Sequence, residues 1–304
     1  ETYDIQVFQN MSGRKIKVLF DTDIGSDLDD AVALAYLLAE PRCDLLGITT
    51  VSGDVLMRAR LASVLCKTAQ KGVPIRLGSS DRLDGPTRQP MVPQNGVLTD
   101  WDHDANFSDQ SANEFIASTV RSNPGEIVIL AVGPLTNIAQ LFVDHPDVPP
   151  LLKSLQIMGG RFMESDELPA SEWNIHCDPA AAEIVYGADV QLHTSIGLDV
   201  TYQVVMDSMQ VKGRFQHPLL TPVYEMSKIW FEDRPLLRFH DPLAAVAIFD
   251  PSVCDYTTGT ISVKRGKGRS DGVTRWHSGN PGSHRIASQV DIDKFFKSYF
   301  SVFD

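Results

Sequence analysis

Short apolar runs of strand length alternate with stretches of helical period along most of the chain. Lys15 to Phe20 (KIKVLF) reads as a buried strand, Asp30 to Leu38 as a helix, Leu45 to Val51 as a second strand and Met57 to Thr68 as a second helix. Pro74 to Leu77 is a short third strand, and Glu126 to Val132 (EIVILAV) a strong one, with a helix opening near Pro134. Leu155 to Met158 and Val190 to Ile196 read as strands around the helix Pro179 to Tyr186, and Pro242 to Phe249 and Ile292 to Phe303 as closing helices. This βαβα order predicts an α/β fold: a mostly parallel, Rossmann-like sheet with helices on both faces. No repeat, linker or low-complexity tract divides the chain, so residues 15–304 are expected to form one domain after an extension of residues 1–14.

Three polar stretches lack clear periodicity: Ser79 to Asn106, Arg161 to His176 and Arg265 to Ser283. Loops of this length in a compact domain tend to carry function. In an open α/β sheet, ligands sit beyond the carboxyl ends of the strands.

Composition narrows the field. Of the 304 residues 43% are hydrophobic and 22% charged, as in a soluble globular protein, and no apolar run is long enough to cross a bilayer. The net charge of −12 disfavours nucleic-acid polymers as partners. One basic patch, Lys264, Arg265, Lys267 and Arg269, is interrupted by glycines and followed by Asp271, which reads as a solvated hairpin turn. Cys43, Cys66, Cys177 and Cys254 are far apart with no CxxC pairing, which argues against zinc and for reduced thiols, hence a cytoplasmic setting. The first fifteen residues show no signal-peptide core; Met11 is a native start, or a leader has been removed.

The first strand runs into Asp21-Thr22-Asp23-Ile24-Gly25-Ser26-Asp27-Leu28-Asp29-Asp30. One or two of these aspartates are expected to cap the following helix. All five together would repel one another strongly without a cation, and hard oxygen donors suit Ca²⁺ or Mg²⁺. A strand ending in DxD fits two enzyme classes. A phosphatase of the haloacid dehalogenase type would also need a downstream lysine and a GDxxxD carboxylate pair, of which the chain holds no convincing version.

The second class is the inosine-uridine preferring nucleoside hydrolases, whose opening motif is DxDxG followed by DDA. The chain resembles this family at Asp29-Asp30-Ala31, Ile48 to Gly53, Val132 to Ala139 (VGPLTNIA), Met158-Gly159-Gly160, Glu172-Trp173-Asn174 with Asp178-Pro179, Gly197 to Thr201, and Phe239-His240-Asp241-Pro242. Each block is weak alone, but all stand in the family's order. The resemblance implies hydrolysis of the N-glycosidic bond of ribonucleosides to ribose and free base. It implies one Ca²⁺ held by Asp23, Asp30, Asp241 and the Thr136 carbonyl, which would orient the sugar and acidify the attacking water. Asp29 would be the general base, with Asp27 as the other candidate because the motif is two residues longer than its shortest form. His240 would contact or protonate the departing base, while Glu172 and Asn174 would bind ribose hydroxyls. Arg275, Trp276 and His277 could cover the base by stacking.

Three positions depart from the family pattern: Asp54 and Asp166 stand where asparagine is usual, and Asn95 near an expected histidine. All three are expected to touch the substrate and to retune its choice, the two aspartates by adding negative charge beside the cluster. The partner is a nucleoside, with no membrane or nucleic acid, and relatives suggest a homodimer or homotetramer. A catalytically silent nucleoside- or sugar-binding protein of the same fold is the alternative.

Overall fold

The computed structural model describes residues 15–279, 282 and 284–304; the expected extension, 1–14, lies outside them. Strand β1 (Ile16–Thr22) is buried over most of its length, because IKVLFDT is covered on both faces. Helix α1 (Asp29–Ala39) follows, then β2 (Cys43–Thr50), α2 (Val55–Thr68), β3 (Ile75–Leu77), α3 (Ala112–Ser122), β4 (Ile127–Ala131) and α4 (Thr136–Asp144). Next come β5 (Ser154–Met158), α5 (Trp173–Cys177), α6 (Pro179–Tyr186), β6 (His193–Ile196) and α7 (Leu198–Thr201). The chain then adds β7 (Val205–Asp207), α8 (Ser208–Arg214), α9 (Thr221–Trp230), β8 (Leu236–Arg238) and α10 (His240–Phe249). It ends with β9 (Cys254–Lys264), β10 (Val273–Ser278), β11 (His284–Val290) and α11 (Ile292–Phe300).

Nine strands form one sheet in the order β10-β9-β11-β6-β5-β4-β1-β2-β3, and β7 pairs with β8 apart from it. Strands β1 to β6 are parallel, β11 joins parallel to β6, and β9 runs antiparallel to both β10 and β11. The order reverses between β1 and β4, whose carboxyl ends therefore open a crevice. Apolar clusters cover both faces, one around α1, α2 and α10, the other around α3, α4 and α6.

The predicted strands and helices are present within a few residues at their ends. The late stretch read as a loop, 265–283, instead contains β10, and the basic residues 264–267 stand at the turn of the β9–β10 hairpin. Strands β7, β8, β9 and β11 and helices α3, α5, α7, α8 and α9 were not expected. The four cysteines are buried and free, and no described helix is long and apolar enough to cross a membrane.

Candidate active site

Beyond Thr22 the chain bends through Gly25 at φ +104°, where an added Cβ would lie 2.4 Å from Leu61 and 2.5 Å from Val92. A side chain there would be both strained and crowded. The next helix begins without the expected aspartate cap: its N-cap is Leu28, with no side-chain cap bond, and Asp29 and Asp30 fall in the first turn. Their carboxylates still complement the helix dipole, but they turn into a cavity of about 220 Å³. Asp23, Asp27, Asp29, Asp30 and Asp241 line it, with Glu172, Asn174, His240, Val132, Gln89, Trp173 and Tyr202 around them.

The ligand oxygens of Asp29, Asp30 and Asp241 lie within 4.8 Å of one another. Asp29 Oδ2 accepts the Asp241 amide at 3.1 Å, Asp30 Oδ1 accepts the Thr22 hydroxyl at 2.5 Å, and Asp23 Oδ2 accepts the Gln89 amide. Burial drives the carboxyls of Asp23, Asp29, Asp30 and Asp241 upward, and for the last three the neighbouring aspartates add to it. Asp27, at the solvent-facing rim, is raised to about 6 by desolvation and Asp23, against the pull of Arg234. The cation behind the cluster, Arg58, donates to the backbone oxygens of Asp23 and Ile24, not to the carboxylates. Several buried carboxylates facing the single guanidinium of Arg58, which none of them contacts, form a hard-oxygen donor set that fits a divalent cation.

Glu172 caps α5: its oxygens accept the amides of Asn174 at 2.8 Å, Ile175 at 3.1 Å and Gly160 at 3.2 Å. Burial pushes its carboxyl up to about 7 despite these donors. Asn174 Nδ2 ties the ends of β4 and β5 together, donating to Val132 O at 2.7 Å and Met158 O at 3.2 Å. His240 Nδ1 lies 2.7 Å from the Thr201 hydroxyl; burial, then Arg238, pushes the imidazole down to about 3, so it is neutral. Asp178 is spent on structure, accepting Thr136 Oγ1 at 2.8 Å, Leu83 N at 2.9 Å and Ala181 N at 3.0 Å.

Several expectations need correction. Thr136 is the first residue of α4, so its carbonyl runs down the helix and it does not line the cavity; Val132, four residues earlier at the end of β4, does. Asp54 is the exposed N-cap of α2, accepting Met57 N at 2.9 Å. Asp166 is exposed in the 161–176 loop, and Asn95 is exposed on a 3₁₀ turn at Pro93–Thr99. None of these three lines the cavity. Arg275, Trp276 and His277 lie on β10, around a separate surface groove with Phe162. The aromatic residues beside the carboxylates are instead Trp173, Tyr202 and, in an adjoining outer cavity of about 440 Å³, Trp230, with Met91, Ile229, Gln94, Asp233 and Arg234. The position of Trp173 between Glu172 and Asn174 could have been read from the sequence; those on α9 and on the 89–94 segment carry no local signal.

Comparison with known proteins agrees with this geometry. A profile described as inosine-uridine preferring nucleoside hydrolase matches residues 18–297. Uridine nucleosidase 1 of Arabidopsis thaliana is 32% identical, over 88% of this chain and 86% of its own length. Probable uridine nucleosidase 2 of Oryza sativa subsp. japonica is 31% identical, over 91% of this chain and 90% of its own. Among solved structures, a plant nucleoside hydrolase superposes with a TM-score of 0.81 at 26% identity, covering 95% of this chain and 98% of that one. A purine-preferring ribonucleoside hydrolase from Gardnerella vaginalis shares the fold, with a TM-score of 0.80 at 23% identity, over 94% of this chain and 98% of its own. With the profile spanning nearly all of the sheet, the chain belongs to the inosine-uridine preferring nucleoside hydrolase family.

Proposed function

We propose that this N-glycosyl hydrolase cleaves ribonucleosides to ribose and free base, with Asp29 as general base beside a Ca²⁺ site. The observation that carries the reading is the convergence of five aspartates on one cavity at the sheet's switch point. Asp23, Asp30 and Asp241, with the Val132 carbonyl replacing that of Thr136, would hold the ion; hard oxygens favour Ca²⁺ over a soft metal. Such an ion, when bound, supplies the missing positive charge and Lewis acidity towards substrate oxygens.

The chain's own groups account for the rest. Asp29 takes a proton from the attacking water as that oxygen bonds to the anomeric carbon. The glycosidic electron pair leaves with the base, and the proton held by Asp29 is passed through solvent to the departed base, which restores the carboxylate. Positive charge builds on the ribose, and the carboxylate walls favour it. Glu172 and Asn174 would hold the sugar, and His240, which lines the same cavity with its ring against Thr201, would meet the departing base. Asp27 lines the same cavity but sits at the rim, which favours Asp29 as the base.

Uridine is the first substrate to test, since two plant relatives are named uridine nucleosidases. Release of ribose from uridine and inosine, with metal content measured on the same sample, is the assay. We expect turnover and about one calcium per chain. Release from neither nucleoside by cation-loaded protein would leave a silent binding protein and overturn the proposal.

A further inference from the structure

Gln89 lies where the inner and outer cavities meet, lining both together with Asp27 and Trp173. Its Nε2 donates to Asp23 Oδ2 and its Oε1 accepts the indole N–H of Trp173. The partners dictate this orientation, because an ionised carboxylate only accepts and an indole only donates. Glutamate would set like charges face to face at Asp23, and asparagine is one methylene too short to keep both contacts. The backbone below is fixed as well. Gln89 N donates to Thr87 Oγ1 at 3.0 Å and its carbonyl accepts from Arg58 Nη2 at 3.4 Å. Gly53, at φ +68°, packs so closely that a Cβ there would lie 2.6 Å from the Gln89 carbonyl oxygen. On the far side of that turn Asp54 points away as a helix cap.

We propose that Gln89 is the substrate-positioning amide of this enzyme, supplying from the 79–106 loop the donor that Asp54 does not. The inference rests on the nucleoside reading of the cavity. When Asp23 is engaged by a cation or a ribose hydroxyl, Nε2 is released to donate to a ribose oxygen. Oε1 meanwhile keeps the Trp173 indole in place at the cavity mouth, where the base lies against it. One side chain thus registers the sugar and the base together, and it acts on binding more than on bond cleavage.

The test uses the calcium-loaded 304-residue chain and the variants Gln89→Leu, Gln89→Glu and Trp173→Phe, alone and with Gln89→Leu combined with Trp173→Phe. Uridine KM and kcat are measured, along with the tryptophan fluorescence change on uridine titration and Tm as a folding control. Gln89→Leu should raise KM about tenfold or more with kcat changed less than about threefold, the pattern of lost binding of both ground and transition state. Gln89→Glu should bind more weakly still, and the double variant should be no worse than Gln89→Leu, since both act through one contact. The fluorescence change should disappear with Trp173→Phe and shrink in Gln89→Leu. Unchanged KM in Gln89→Leu and Gln89→Glu, with wild type active, would overturn the role of Gln89 alone. Full additivity of Gln89→Leu and Trp173→Phe would break the claimed coupling. A wild type that neither binds nor cleaves uridine removes the nucleoside reading, and this proposal with it.

Discussion

Replacing Arg58 with methionine tests whether the acidic loop is held in place from behind. The side chain is 0% exposed, yet it is an arginine on α2. Its guanidinium donates to Ser52 O at 2.6 Å, to Asp23 O, to Ile24 O at 3.1 Å, to Ser26 Oγ at 2.9 Å and to Gln89 O at 3.4 Å. Three segments of chain therefore close on one planar group that stays charged. Methionine roughly fills the volume but leaves these oxygens buried without donors and takes a positive charge away from Asp23 and Asp30. Breaking a buried charged network from one side costs about 3–5 kcal/mol. At ~2.1 cal/mol/K per residue, 304 residues have an unfolding entropy of ~0.6 kcal/mol/K, so Tm should fall by roughly 5–8 °C. Arg58→Lys keeps the charge without the fork and should lose about half as much. Differential scanning calorimetry in chelator, with nucleoside turnover measured in parallel, provides the readout. A fall below about 2 °C in Arg58→Met with turnover intact would show that the loop holds its shape without the guanidinium.

Asp29→Ala should lower kcat by roughly 10²–10⁴-fold, the usual worth of a general base, while Asp27→Ala should act mainly on KM. The reverse pattern in steady-state kinetics would transfer the base to Asp27. Chelation should make stability depend on pH. Asp21 and Glu172 are both pushed up to about 7, above their ordinary values of 3.8 and 4.5, chiefly by burial. The stability they contribute is full below about pH 4 and is lost as pH rises through about 7. With Asp23, Asp29, Asp30 and Asp241, also raised, they outnumber His193, His240 and His284, whose lowered imidazoles lose stability as pH falls through their ordinary 6.5. Chelated protein should therefore gain Tm on going from pH 7.5 to 5.5. Loaded protein should change less, and a chelated sample that loses Tm over that interval would contradict the sign. Gly25→Ala should cost roughly 2–3 kcal/mol and most of the turnover, because it combines a positive φ with overpacking against Leu61 and Val92. Denaturant unfolding within 0.5 kcal/mol of wild type would refute it.

The floor of the site was legible in the sequence because its carboxylates are contiguous: Asp23, Asp27, Asp29 and Asp30 follow one strand, and Asp241 opens one helix. The walls were harder to read. A backbone carbonyl leaves no residue-type signature, so a hydroxyl-bearing Thr136 attracted the assignment, although Val132 and not Thr136 lines the cavity. Asp54 was placed by its distance from a glycine, but the turn at Ser52 and Gly53, both at positive φ, directs it to the end of α2. Gln89 and Trp230 reach the cavities from segments about 140 residues apart, and only the folded chain unites them. Strand β9 escaped notice because CDYTTGTISVK is half exposed and poor in apolar residues, its ladder being set by β10 and β11.

Helix α1 is buried on every side, and the hydroxyl of Tyr299 on α11 even hydrogen-bonds its Val32 carbonyl at 3.0 Å. Such a helix has no solvent face along which to tilt or slide. The carboxylates at its start are therefore mounted on the least deformable part of the molecule, and any shift of a fraction of an ångström would have to be accepted by the whole apolar layer. The side chains of Gln89, Met91, Trp173 and Arg234, by contrast, stand half-buried or exposed around the outer cavity and are not packed into that layer. On the proposed function, substitutions at those outer positions would change which leaving group is accepted without moving the carboxylates proposed to break the bond.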